Sequence, residues 1–160
     1  MITQEDNIQL VPYESKYREA FKRLNEVWIR QFFKMEAKDY ESLEHPEETI
    51  INKGGYIIVA LRNDQAVGVC ALIKLDHPEY TYELAKMGVA PEARGLGIGY
   101  KLGKAIIEKA RGLGANNLFL ESNTILVPAI SLYRKLGFKE IENIGSPYER
   151  SNIQMLIEFN

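Results

Sequence analysis

Met87-Gly88-Val89-Ala90-Pro91-Glu92-Ala93-Arg94-Gly95-Leu96-Gly97-Ile98-Gly99 decides how this chain folds. An apolar run passes through a proline into a segment where Ile98, Leu102, Ala105 and Ile106 share one helical stripe, with Lys101, Lys104, Glu108 and Lys109 mostly opposite. The order is strand, loop, amphipathic helix. Gly95, Gly97 and Gly99 leave the backbone bare, so successive N–H groups can approach an anion at the positive end of the helix dipole. A diphosphate suits that turn. Arg94-Gly95-Leu96-Gly97 recurs as Arg111-Gly112-Leu113-Gly114 at the far end of the same helix, where the free groups are carbonyls. The second copy is therefore expected to cap the helix and repel phosphate.

Two other phosphate-binding patterns fail on spacing. A dinucleotide fingerprint needs a third glycine where Tyr100 or Leu102 stands, although Glu121 sits about where a ribose-binding acid would. A Walker loop needs Ser or Thr after its lysine, and Gly99 is followed by Tyr100-Lys101-Leu102.

Upstream of this stretch, Ile8 to Tyr13 reads as a short strand. Tyr17, Phe21, Leu24 and Trp28 then recur at helical spacing after Ser15, an expected N-cap, and read as core. Met35 to Lys53 is polar and partly helical, and Gly54-Gly55 breaks it before the run Tyr56 to Leu61. Arg62-Asn63-Asp64-Gln65 supplies turn chemistry to Ala66 to Leu75, and Asp76-His77-Pro78 separates that run from Tyr82 to Val89. Downstream, Asn117 to Glu121 reads as a strand, Pro128 to Leu136 as a helix stopped by Gly137, and Phe138 to Glu142 as a strand. Ile153, Met155, Ile157 and Phe159 alternate as a last strand.

With 160 residues, 46% of them hydrophobic and 26% charged, the composition is that of one compact domain over residues 1–160, without repeat or linker. A net charge of −2 and a pI near 5.8 give no basic footprint for nucleic acid. Cys70 is the only cysteine, which excludes an intrachain disulfide and a Cys-rich metal site, and no metal is expected. Met1 to Leu10 lacks a basic start followed by an apolar run, and no stretch approaches the roughly 20 apolar residues of a membrane span. The expectation is a cytoplasmic protein.

Arg94-x-x-Gly97-x-Gly99 after Glu83-Leu84-Ala85-Lys86-Met87-Gly88-Val89, with Leu132-Tyr133-Arg134-Lys135-Leu136-Gly137-Phe138 downstream, resembles the GNAT superfamily of N-acetyltransferases. The resemblance spans nearly the whole chain and covers that family's R/Q-x-x-G-x-G/A and L-Y-x-K-x-G-F motifs. It implies an α/β (α+β) acyl-CoA N-acyltransferase fold: a mixed, mostly antiparallel sheet of about six to seven strands, flanked by about four helices and splayed between the fourth and fifth strands. Acetyl-CoA would be the co-substrate, its pantetheine held by the backbones of Met87 and Val89 and its pyrophosphate by Arg94, Gly95, Leu96, Gly97, Ile98, Gly99 and Tyr100. Tyr133 matches the family's general acid, with an expected effect of roughly a hundredfold. Glu83 stands where several members carry a glutamate base. Where many members have Asn, seven residues before the tyrosine, this chain has Leu126, and Asn123 is expected to supply that polar contact.

The resemblance implies acetyl transfer to a primary amine by direct attack in a ternary complex. An acyl-enzyme on Cys70 is disfavoured because Cys70 lies in an apolar run without a nearby histidine. The alternative is a non-catalytic acyl-CoA sensor or interaction module on the same fold. The acceptor is a small-molecule or peptide amine, and a homodimer is left open. Glu36, Asp39, Glu41, Glu44, Glu47 and Glu48, against only Lys38 and His45, read either as a solvated helix face or as a wall that steers a cationic amine, with Tyr40 and Tyr148 as aromatic faces.

Overall fold

The computed structural model describes residues 7–159; the part of the Met1 to Leu10 reading that falls on residues 1–6 lies outside them. Strands are β1 (Ile8–Pro12), β2 (Tyr56–Arg62), β3 (Gln65–Lys74), β4 (Tyr82–Val89), β5 (Asn117–Ser122), β6 (Lys139–Ile141) and β7 (Ile153–Glu158). Helices are α1 (Arg18–Phe32), α2 (Ala37–Glu44), α3 (Pro46–Thr49), α4 (Ile98–Gly112) and α5 (Val127–Leu136). The sheet order is β1-β2-β3-β4-β5-β7-β6. Among the described residues only β4 and β5 run parallel, and one pair, Glu83 opposite Phe119, joins them. Beyond it the strands diverge, so the bare edges of β4 and β5 enclose the expected splay.

Local chemistry explains the frame. Asn63 and Asp64 both take positive φ, at 52° and 65°, which is the conformation a two-residue hairpin needs between right-twisted strands. The second glycine motif caps α4 as expected: Gly114 N–H donates to Arg111 O at 2.9 Å and Ala115 N–H to Ala110 O at 3.1 Å, a Schellman pair. Gly88 lets α1 close on the sheet, since a Cβ there would sit 2.5 Å from Leu24 O. α1 buries Phe21, Leu24 and Ile29 against β3 and β4. α4 buries Ile98, Leu102 and Ile106, its contacts reaching β2, β3 and β4.

Three expectations change in detail. Ser15 does not cap α1; it opens a 3-10 turn, Ser15–Tyr17, that feeds the helix without a side-chain cap. Trp28 is only partly buried and borders a cavity, so the apolar stripe runs out of core at its last member. β7 is buried at consecutive residues Ile153, Gln154 and Met155. Its first half is thus covered on both faces, and Gln154 satisfies its amide on Ile144 N–H at 2.7 Å and Gly145 O at 2.9 Å.

Candidate active site

The divergence of β4 and β5 opens a cavity of about 700 Å³ that runs from the glycine turn, past α5, to the end of α1. At the turn end, Gly95 and Gly97 take φ of 84° and 75°, and Gly97 starts α4. The first bond of the helical ladder runs from Lys101 N–H to Gly97 O at 3.1 Å, which leaves the preceding amides at the positive end of the helix without helical acceptors. A Cβ at Gly95 or Gly97 would meet nothing within 4 Å, so the space in front of this turn is open. Arg94 is exposed and borders the same space. Of the expected turn residues, Leu96 alone does not line the cavity; it packs against the core.

Met87 and Val89 line the middle of the cavity. Ala90 N–H donates to Val67 O at 2.8 Å, toward β3, and backbone groups alternate sides along a strand. Val89 therefore turns its N–H and C=O to the bare edge of β4. This donor set, an open strand edge leading into a helix N-terminus, fits an extended amide arm ending in a diphosphate.

A bulge separates the two halves of β4. Val69 pairs with Gly88 and Ala71 with Ala85, so Lys86 and Met87 together oppose Cys70. Lys86 adopts φ of 54°, a left-handed conformation costing about 1–2 kcal/mol outside glycine. The bulge shifts strand parity, which turns Lys86 as well as Gly88 toward α1 and α2. The Lys86 ammonium donates to Asp39 Oδ1 at 2.8 Å and to the Tyr148 hydroxyl at 3.1 Å.

Asp39 is fully buried, and four donors converge on its carboxylate. Arg150 reaches both oxygens at 2.6 Å, Lys86 supplies a third bond, and Glu36 N–H a fourth at 2.9 Å. Although burial opposes its charge, the Arg150 and Lys86 bonds hold the Asp39 carboxyl down at about 2. Burial lowers the Lys86 ammonium from its usual value while the Asp39 charge works against that shift. The Arg150 guanidinium also lies over the rings of Trp28 and Tyr148, at 5.7 and 4.7 Å.

This cluster overturns the acidic-wall expectation. Glu36 and Asp39 are engaged with Arg150, Glu47 with Arg18 and Tyr13, and Glu44 with Lys22 at 3.2 Å, while Glu48 lies 3.2 Å from His45. None of these carboxylates lines the cavity, and neither do Glu41 and Tyr40; Tyr148 does. The bare count of acids hid their partners, which come from elsewhere in the chain.

Glu83 and Tyr133 both line the cavity. Burial is the main reason the Glu83 carboxyl is pushed up to about 8; the charge of Glu121 adds to it and Lys86 opposes it. Burial likewise pushes the Tyr133 hydroxyl well above its ordinary value, so it stays a proton donor. Its ring meets Phe138 edge-on at 6.2 Å. Cys70 is fully buried with its thiol pushed up, which suits a core residue rather than a nucleophile. Asn123 lines the cavity as well; its Nδ2 donates to Arg150 O at 2.7 Å and its Oδ1 accepts from Ile125 N–H at 2.9 Å. These bonds clasp the end of β5 to the Arg150 segment. Sequence reasoning missed Lys86, Arg150 and Glu121 as cavity residues; for Glu121 the signal was its two-residue spacing from Phe119, the partner of Glu83.

Residues 21–138 match the model of the acetyltransferase (GNAT) family. The chain belongs to that family. An IAA acetyltransferase of Azospirillum brasilense is 36% identical over 101 residues, covering 63% of this chain and 65% of that protein. The chain thus spans just under two thirds of that relative, and the matched segment is 36% of the E. coli N-acetyltransferase YjgM, at 42% identity over 60 residues. Among solved structures, a GNAT-family acetyltransferase from Staphylococcus aureus Mu50 superposes with a TM-score of 0.83 at 24% identity, over 94% of this chain and 98% of that one. The structure of yncA from Salmonella typhimurium, which holds its cofactor acetyl-CoA, gives 0.77 at 18% identity over 96% and 94% of the two chains. These likenesses establish a GNAT fold with the seven-stranded, splayed sheet described above. No described helix of this GNAT protein is long and apolar enough to cross a membrane.

Proposed function

We propose that the chain transfers the acetyl group of acetyl-CoA to a primary amine by direct attack in a ternary complex. The observation that carries this reading is that one cavity joins an anion-binding turn, an open strand edge, a carboxylate near neutrality at Glu83 and a protonated hydroxyl at Tyr133. Bound acetyl-CoA would supply an activated thioester. Gly95 to Tyr100 hold its diphosphate through backbone N–H groups, and the β4 edge at Met87 and Val89 aligns its amide arm.

Glu83 takes the proton of the acceptor amine. An ordinary glutamate lies roughly 6 units below an alkylamine near 10.4, so direct transfer would cost about 8 kcal/mol. With Glu83 at about 8 the gap narrows to roughly 2.4 units and the cost to about 3 kcal/mol. Tyr133 donates its proton to the sulfur that leaves. A thiol near 8.5 is a fair leaving group unaided, so Tyr133→Phe should lower kcat roughly a hundredfold and leave acetyl-CoA affinity unchanged. Single-turnover kinetics with calorimetric binding checks this; an unchanged chemical step would remove Tyr133 from the mechanism.

The turn has its own test. Saturating acetyl-CoA at about 100 times Kd should stabilise the fold by about 2.7 kcal/mol and raise Tm by roughly 5–10 °C. Because Gly97 has positive φ, the informative comparison is Gly97→Asp with Gly97→Asn: both tolerate that backbone, and only Asp adds charge. Gly97→Asp should abolish the shift and Gly97→Asn keep most of it; equal behaviour would place the diphosphate elsewhere. The function itself is tested by amine-dependent thiol release from acetyl-CoA. Coenzyme binding without release across an amine library would favour a sensor.

A further inference from the structure

The acceptor end of the cavity has an unusual charge balance. Four charged side chains line it: Glu83, Glu121, Lys86 and Arg150. Lys86 and Arg150 are already neutralised from behind by Asp39 and Glu36. Glu83 and Glu121 make no ion pair among the described residues, and besides burial the Glu121 charge pushes the Glu83 carboxyl up, with Lys86 opposing. The unmet electrostatic demand is for one ammonium group. A second ammonium farther along would have to give up its water against the apolar lining of Trp28, Phe32, Phe33 and Ile73.

What remains of this end is apolar and largely aromatic. Trp28, Phe32 and Phe33 from the end of α1 line it together with Ile73. Phe32 is 45% exposed, and its ring is tilted 53° to that of Phe33 with centroids 6.4 Å apart. Rings at such an angle, the Phe32 one exposed and the Phe33 one half-buried, offer a face and an edge to a third ring, the geometry aromatic groups prefer.

Resting on the transfer reaction proposed above, we infer that the acceptor is an arylalkylamine: one primary ammonium at Glu83 and Glu121, on a short uncharged arm ending in an aromatic ring against Trp28, Phe32 and Phe33. Burying a phenyl ring is worth roughly a 10- to 100-fold gain in kcat/KM over the same amine without it. Ring-on-ring geometry adds several-fold over an aliphatic tail of similar size.

The test compares phenethylamine, ethylamine, hexylamine, spermidine and phenylalanine as acceptors at one pH. Trp28 is the only tryptophan, so its fluorescence reports occupancy of this end without any turnover. Phenethylamine should exceed ethylamine by about 30-fold and hexylamine by about 5-fold in kcat/KM, and should change Trp28 emission saturably. Phe32→Ser should erase most of the advantage over hexylamine. Preference for spermidine or phenylalanine, equal use of hexylamine, or a ratio unmoved by Phe32→Ser overturns the inference. A saturable Trp28 response with no thiol release from any amine would uphold the aryl subsite and overturn the transfer reaction instead.

Discussion

Glu83→Gln is expected to cut kcat/KM for an alkylamine by about a thousandfold while making the protein more stable at alkaline pH. The loss of rate is mid-range for a general base. In the native protein kcat/KM should rise with pH through an inflection near 8, where Glu83 gives up its proton, and that inflection should vanish in the variant. The gain in stability follows from linkage. An unfolded glutamate ionises near pH 4.3, whereas folded Glu83 keeps its proton up to about 8. Between those values the folded state binds more protons than the unfolded one, so stability falls as pH rises and the full penalty is present above 8. Glutamine carries no such penalty, so Tm should be several degrees higher than wild type at pH 9 and equal at pH 4. An activity loss without that pH-dependent stabilisation would mean that Glu83 is not held in its protonated form.

The largest effect on stability is expected from Asp39→Asn. The substitution leaves Lys86 and Arg150 facing a neutral group in a site where Asp39 has no exposure. Removing one partner of a buried ion pair costs about 3–5 kcal/mol, or about 10 °C in Tm for a domain of this size. The pH sign is opposite to that of Glu83. The folded Asp39 carboxyl, at about 2, lies below the unfolded value near 3.9, so its contribution is complete above about pH 4 and is lost as pH falls toward 2. Thermal melts of the variant should therefore show a shallower acid limb than wild type, and identical limbs would argue against the charged cluster. Because Asp39 also anchors the Lys86 and Arg150 side chains that line the cavity, acceptor KM should rise alongside the loss of stability.

Much of the frame was legible because its signals are local. The Asn63-Asp64 hairpin, the Gly114 cap and the strand-turn-helix at Gly95 to Gly99 each sit within a few residues, where turn chemistry and periodicity act. The surroundings of the Glu36 to Glu48 acids stay open between two readings in the sequence because their interactions are long-range. Asp39 is 47 residues from Lys86 and 111 from Arg150, and no spacing rule connects them. The six carboxylates between Glu36 and Glu48 look like an open acidic face until Arg18, Lys22, Lys86 and Arg150 are packed against four of them, Glu47, Glu44, Asp39 and Glu36. The bulge gave no warning either: its left-handed residue is a lysine, which sequence patterns place in ordinary strand. That one extra residue turns Lys86 to the side where α1 and α2 pack.

The central claim is direct transfer from coenzyme thioester to amine within this cavity. Its most direct measurement is to incubate the chain with acetyl-CoA and phenethylamine, quantify free thiol and N-acetylated amine by mass spectrometry, and record the intact mass of the chain during turnover. The account predicts equal amounts of thiol and acetylated amine, an unmodified chain throughout, and neither product from a Glu83→Gln, Tyr133→Phe double variant that still binds acetyl-CoA. An acetyl group appearing on the chain before the amine, or product formation undiminished in the double variant, would contradict it.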